Sequence, residues 1–133
     1  MEKIIIDPTA NTLKVILDPE QNVFEISGES RPLDVPQFYS PLLEWLDEFG
    51  QHLKEQNDPD AFCEFKFLFE YFNSLSAKYI LDLCKKLSRL RSEGNNILVK
   101  WHYEEGDDYM QETGHEMSRI AKLPFEFVEI SIQ

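Results

Sequence analysis

The sequence predicts an α/β domain, a mixed β-sheet with helices packed against it. Three observations predict it. Two long stretches, Phe38 to Leu53 and Leu75 to Leu90, carry apolar residues at steps of three and four. Several shorter stretches alternate apolar and polar residues, the pattern of half-buried strands. In the second half the two patterns take turns, which favours strands joined through helices. The order read from the chain is β-β-α-β-α-β-(α)-β, in one domain spanning residues 1–133.

Ile4 to Ile6 is a short apolar run closed by Asp7-Pro8, an edge strand or a docking arm. Thr12 to Leu17 alternates and stops at Asp18-Pro19. Asn22 to Ser27 follows after Asp18-Pro19-Glu20-Gln21, so the pair reads as a hairpin. Gly28 to Pro36 is a polar connection. In the first helix Phe38, Leu42, Trp45, Leu46, Phe49 and Leu53 form one stripe. Pro41 is expected near its start, where a missing N–H matters least, and Asn57-Asp58-Pro59-Asp60 ends it. Ala61 to Phe69 puts Phe65, Phe67 and Phe69 on one face and Leu68 on the other. It is nearly all apolar after Lys66, as a central strand should be. The second helix has Leu75, Tyr79, Ile80, Leu83, Leu87 and Leu90 as its expected buried face. Lys85, Lys86, Arg89 and Arg91 crowd its negative end, and Gly94 is its expected C-cap. Ile97 to Tyr103 is a strand with Ile97, Val99, Trp101 and Tyr103 on one side. Asp107 to Arg119 suits a shorter helix, and Phe125 to Ile132 a last strand.

The chain has 133 residues, 42% hydrophobic and 13% aromatic, enough for one compact core. Its formal net charge of −12 argues against binding nucleic acid or an anionic membrane, since both need clustered Lys and Arg. It permits a basic partner protein. Cys63 and Cys84 lie on apolar segments and read as buried thiols of a reducing compartment. No Cys/His spacing matches a zinc site, so no metal or other cofactor is expected. Neither a leader-type segment nor an apolar run of about 20 residues is present, so a cytoplasmic protein is expected.

The most informative stretch is Phe62 to Lys78. An aromatic strand runs into Asn73-Ser74, and a helical pattern starts at once. One hydroxyl, Ser74, therefore stands where the carboxyl end of a strand meets the amino end of a helix. The first helical N–H groups lack partners in the helix and sum to roughly half a positive charge, so the place suits a phosphate. The plainer reading makes Ser74 the N-cap, stabilising the helix by about 1 kcal/mol. Asn73 would supply left-handed or turn geometry between the elements. Ser76, also in the first turn, competes as the modified residue.

A second feature is the acidic segment Glu104-Glu105-Gly106-Asp107-Asp108-Tyr109-Met110-Gln111-Glu112. It lacks the calcium-loop pattern and reads as a solvated loop or a docking surface. It would share a rim with Ser74 if the two preceding strands are parallel. His52, His102 and His115 have no Ser or Cys partner at triad spacing, and no glycine-rich phosphate loop occurs.

Phe72-Asn73-Ser74-Leu75-Ser76-Ala77-Lys78 before the Leu-rich helix, and Val99-Lys100-Trp101-His102-Tyr103 before the acidic loop, resemble the SiaC family of bacterial regulatory phosphoproteins. Pro36-Gln37-Phe38-Tyr39 leading into Leu43-Glu44-Trp45-Leu46 resembles that family's first helix. The resemblance spans residues 10 to 130 or so. The family is similar in fold to STAS domains, the anti-sigma-factor antagonists switched by phosphorylation at a helix N-terminus. It implies a non-enzymatic adaptor, phosphorylated by a Ser/Thr protein kinase of the histidine-kinase-like ATPase type and restored by a PP2C-type phosphatase. The unphosphorylated form would bind and activate a diguanylate cyclase, raising cyclic di-GMP and promoting biofilm formation. The modified position falls on Ser74, where the family typically shows Thr, with Ser76 as runner-up. Asn73 stands where the Asp-Ser-x-Gly pattern of STAS switches has its acid, and no glycine follows. The rim expected to bind the partner comprises Asn73, Ser76, Lys78, His102, Tyr103, Glu104, Asp107 and Asp108. The alternatives are an anti-sigma-factor antagonist in a partner-switching pathway, a small enzyme using His102 with Asp107 and Asp108, and a structural subunit in which Ser74 only caps its helix.

Overall fold

A computed structural model describes residues 1–131. Its strands are β1 (Ile4–Ile6), β2 (Lys14–Asp18), β3 (Val23–Ser30), β4 (Phe62–Phe72), β5 (Asn96–Glu104) and β6 (Phe125–Ile130). They form one six-stranded sheet in sequential order. Helices α1 (Val35–Gln56), α2 (Ser74–Ser92) and α3 (Asp108–Ala121) connect the last four strands. β1, β2 and β3 pair antiparallel, whereas β3 to β6 run parallel. The mixed sheet follows the expectation, and the element order does so once the Ile4–Ile6 arm is added to it as an edge strand, the sixth. The expected last strand ends at Ile130; Ile132 lies outside the described residues. Among the described residues no helix is long and apolar enough to cross a membrane.

Each of the three crossovers advances by one strand in the same direction. Crossovers of this kind are right-handed, so the three helices fall side by side on one face. Two cross-strand rows fill that face, Ile4–Leu17–Phe24–Phe65–Val99–Phe125 and Ile6–Val15–Ile26–Phe67–Trp101–Phe127. The four inner residues of each row are at most 3% exposed. The opposite face carries the row Ile5–Ile16–Glu25–Lys66–Lys100–Glu126. There Lys14 reaches Glu25 at 3.2 Å and Lys100 reaches Glu64 at 3.2 Å. Leu68 lies half-buried on this open face, as its alternation with Phe67 requires.

Several local expectations are corrected. Asp34 caps α1, accepting from the Gln37 amide at 3.0 Å, and Pro36 occupies the first turn. Pro41 therefore lies inside the helix, on its exposed side, where water can satisfy the carbonyl that loses its partner. Tyr39, rather than Phe38, is the fully buried ring of the first turns. In α2, Leu75 is 49% exposed and Ser76 is buried. Counting back one turn from Ile80 reaches Ser76, so Leu75 points off the core stripe. The C-cap of α2 is Glu93, and Gly94, the expected cap, comes one residue later: at φ +102 it lets its own amide donate to the Arg91 carbonyl and the Asn95 amide to that of Leu90.

α3 lies very close to β5 at Gly114. A Cβ there would stand less than 3.0 Å from the Trp101 indole, whose Nε1 donates to the Met110 carbonyl at 3.1 Å. Trp101 is fully buried and has no room to yield. Gly114→Ala should therefore lower stability by about 1–3 kcal/mol, read as an earlier urea midpoint at unchanged slope. A midpoint equal to that of the parent chain would show that α3 is not held so tightly.

Candidate functional site

β4 delivers the chain to the rim formed by the carboxyl ends of the parallel strands. Near its end the register shifts: Gly28 faces Phe69, but Glu29 faces Tyr71, so Glu70 is an extra residue. Such a bulge bends the strand and leaves Glu70 out of the ladder, which resumes at Tyr71 and Phe72. Asn73 follows in extended backbone, φ −78 and ψ 171, and caps α2. Its Oδ1 accepts from the Ser76 amide at 2.8 Å. Two expectations change here. Ser74 is the first helical residue rather than the cap, and Asn73 does not enter the left-handed region. Because Asn73 does the capping, the exposed Ser74 hydroxyl is free of that duty. Among the described residues nothing accepts from the Ser74 and Leu75 amides, so two open donors flank the hydroxyl.

Beneath this turn lies a sealed cluster of hydroxyls. Ser30, Tyr39 and Ser76 are each 0% exposed. Ser30 Oγ bonds the Tyr39 hydroxyl and donates to Ser76 Oγ at 3.0 Å. Ser76 Oγ donates to the Ser30 carbonyl at 3.4 Å, and the Asn73 amide donates to the same carbonyl at 3.1 Å. Burial pushes the pKa of the Tyr39 phenol up, so it stays a neutral donor. Ser76, the runner-up acceptor and an expected contact residue, is corrected on this ground: its hydroxyl is sealed and already engaged. Sequence reasoning missed Ser30 and passed over Tyr39. The available signals were a Ser closing a strand and a Tyr three residues before Leu42 in the apolar stripe.

β4 and β5 are parallel neighbours, so the acidic segment does share the rim with Ser74. A groove of about 400 Å³ lies between them, with Glu70, Tyr71, Asn73, Ser74, Asp107 and Tyr109 among its lining residues. Tyr71 and Tyr109, which line the groove with Ser74, and Leu75, its neighbour in the chain, are 41%, 73% and 49% exposed and give the rim an apolar margin. Asp107 also caps α3, accepting from the Met110 amide at 3.0 Å. Glu104 and Asp108 are exposed nearby. Lys78 is exposed one helical turn beyond Ser74, its Nζ 5.0 Å from the Tyr79 ring.

The other expected contact residues lie elsewhere. Tyr103 is half-buried on the helix side of β5. His102 faces the open side of the sheet. Burial, then the charges of Lys66 and Lys100, hold its pKa below the usual value. It does not line the groove with Asp107, so the structure does not gather the carboxylate-and-histidine set that a small enzyme would use. Both thiols are buried, as expected, which raises Cys63 to about 11 and Cys84 to about 12. Among the described residues no group of three or more His, Cys, Asp or Glu is placed to hold a metal ion.

The cap makes a simple prediction. Asn73→Ala should cost about 1 kcal/mol of stability, while Asn73→Asp, another good cap, should keep most of it. Thermal unfolding of the two variants checks this; an equal loss in both would show that capping is not what the side chain contributes.

The chain is similar over nearly its whole length to proteins already described. A family model for SiaC family regulatory phosphoproteins matches residues 6–130. An uncharacterized protein of Pseudomonas aeruginosa (strain UCBPP-PA14) is 22% identical over 125 residues, 94% of either chain. Apo-SiaC from Pseudomonas aeruginosa superposes with a TM-score of 0.80 at 19% identity, covering 96% of this chain and 99% of that one. A chain of the complex between diguanylate cyclase SiaD and its activator SiaC, from the same organism, gives 0.83 at 19% identity with the same coverage. At such identity the two structures speak for the fold, a mixed sheet with a helix layer consistent with the STAS-like class. The family match runs through the capped turn, the sealed hydroxyls and the acidic rim alike, and on it the chain belongs to the SiaC family of regulatory phosphoproteins.

Proposed function

We propose that this protein is a non-enzymatic cytoplasmic adaptor that docks through the Ser74 rim on a diguanylate cyclase and activates it, and that a phosphate on Ser74 breaks the docking. A Ser/Thr kinase of the histidine-kinase-like ATPase type moves the γ-phosphoryl group of ATP onto Ser74 Oγ, with ADP leaving and the hydroxyl proton released. A PP2C-type phosphatase hydrolyses it off. The observation that carries the reading is the exposed, non-capping Ser74 hydroxyl at the first helical position, in the groove that the exposed Tyr71 and Tyr109 also line. The choice of a cyclase as partner is supported by SiaC of Pseudomonas aeruginosa, the activator in its complex with SiaD.

The physics favours exclusion over attraction. The phosphate adds nearly two negative charges and three acceptors. The helix end accommodates that charge locally, a gain of about 1 kcal/mol. A partner that covers the apolar margin must also strip water from the dianion, and burying an uncompensated charge costs several kcal/mol. The second effect is larger, so the modified rim stays hydrated and the partner leaves.

Ser74→Ala should take up no phosphate and bind the cyclase constitutively. Ser74→Asp should weaken binding about tenfold, roughly 1.4 kcal/mol. Phosphate incorporation from labelled ATP with kinase from the native cell, together with cyclase pull-down and cyclic di-GMP output, reads both. Incorporation that persists in Ser74→Ala would show that the acceptor lies elsewhere.

A further inference from the structure

The geometry points to Tyr39 as a positioning residue for Ser74: acting through Ser30 and Ser76, it holds the acceptor turn in the pose from which the phosphoryl group is taken up. This rests on the proposed modification of Ser74 and adds how that site is kept competent. One orientation of the three hydroxyls satisfies all of them. Tyr39 donates to Ser30 Oγ, Ser30 Oγ donates to Ser76 Oγ, and Ser76 Oγ donates to the Ser30 carbonyl. That carbonyl, the last of β3, also receives the Asn73 amide. Asn73 and Ser76, the residues bracketing Ser74 and Leu75, are thus both tied to one backbone oxygen. Asn73 closes the turn again through its side chain.

The cluster also joins elements far apart in the chain: the end of β3 through Ser30, the third residue of α2, Ser76, and α1 through Tyr39. Hydroxyls in a dry site polarise one another, and one left without its partner is costly. Apolar side chains of similar volume would fill the same space without those bonds, so packing alone does not call for three hydroxyls here. In-line phosphoryl transfer does call for a fixed acceptor, since a displacement of about 1 Å can lower a rate about a hundredfold. The Tyr39 ring is itself held by stacking on Tyr79, with centroids 5.5 Å apart and planes at 11°. Tyr39→Phe therefore removes the hydroxyl while keeping the ring.

The test uses the full chain, ATP and the kinase from the native cell. Tyr39→Phe should be phosphorylated at Ser74 with kcat lowered about tenfold and KM changed less than about twofold. Its Asn73 and Ser76 amides should exchange hydrogen about tenfold faster, with those of Leu83 and Leu87 unchanged. A triple variant, Tyr39→Phe with Ser30→Ala and Ser76→Ala, removes every member of the chain. It should recover thermal stability lost in Tyr39→Phe while kcat stays low; a purely structural role would restore both together and so overturn the proposal. Parental kcat and KM in Tyr39→Phe would also overturn it while leaving the modification of Ser74 intact. A parent chain that takes no phosphate at Ser74 would overturn the modification itself, and the positioning role with it.

Discussion

Asn73 satisfies the Ser76 amide with its own side chain, and the chemistry available at Ser74 follows from that single bond. A helix that begins on a serine ordinarily spends the hydroxyl on its own first turn. Here the cap sits one residue earlier, so the hydroxyl is exposed beside two amides with no acceptor among the described residues. The helix keeps its cap whether or not Ser74 carries a phosphate. In the proposed switch, modification and fold are thereby decoupled: a phosphate on Ser74 need not unravel α2 to change what can approach it.

The rim exists because of the parallel half of the sheet. β3, β4 and β5 end together, so the last carbonyl of β3, the bulged end of β4 and the acidic loop after β5 meet at one edge. The helix-side core holds those ends in register through ring contacts such as Phe24 on Phe65, 4.5 Å between centroids, and Trp101 on Phe125, 5.5 Å. The ion pairs of the opposite face are partly solvated, and pairs of that kind contribute about 1 kcal/mol or less. Burial of the two apolar rows, rather than the charged row behind them, is what fixes the platform under Ser74.

Much of the fold was legible because periodicity is a local property. The α1 and α2 stripes, the Phe65–Phe67–Phe69 alternation and the hairpin at Asp18-Pro19 all announce themselves within one element. The junction at Asn73-Ser74 was legible for the same reason. What escaped was nonlocal or one residue fine. Whether Asn73 or Ser74 caps depends on backbone angles that either residue tolerates. Whether Leu75 or Ser76 faces the core depends on the helix phase at its first turn, where the stripe is shortest. The sealed cluster joins Ser30, Tyr39 and Ser76 across 46 positions of sequence, and no pattern along the chain links them. His102 alternates with aromatic neighbours, which says it faces the other side from Trp101 but not that this side is open.

Mapping phosphate on the protein drawn from its own cell tests the central claim most directly. Intact-mass and fragment-ion analysis of two fractions, one co-eluting with a diguanylate cyclase and one free of it, would locate and count the modification. A single phosphate on Ser74, confined to the free fraction, is the expected result. Phosphate on the sealed Ser76, or a Ser74-phosphorylated chain still seated on the cyclase, would contradict it.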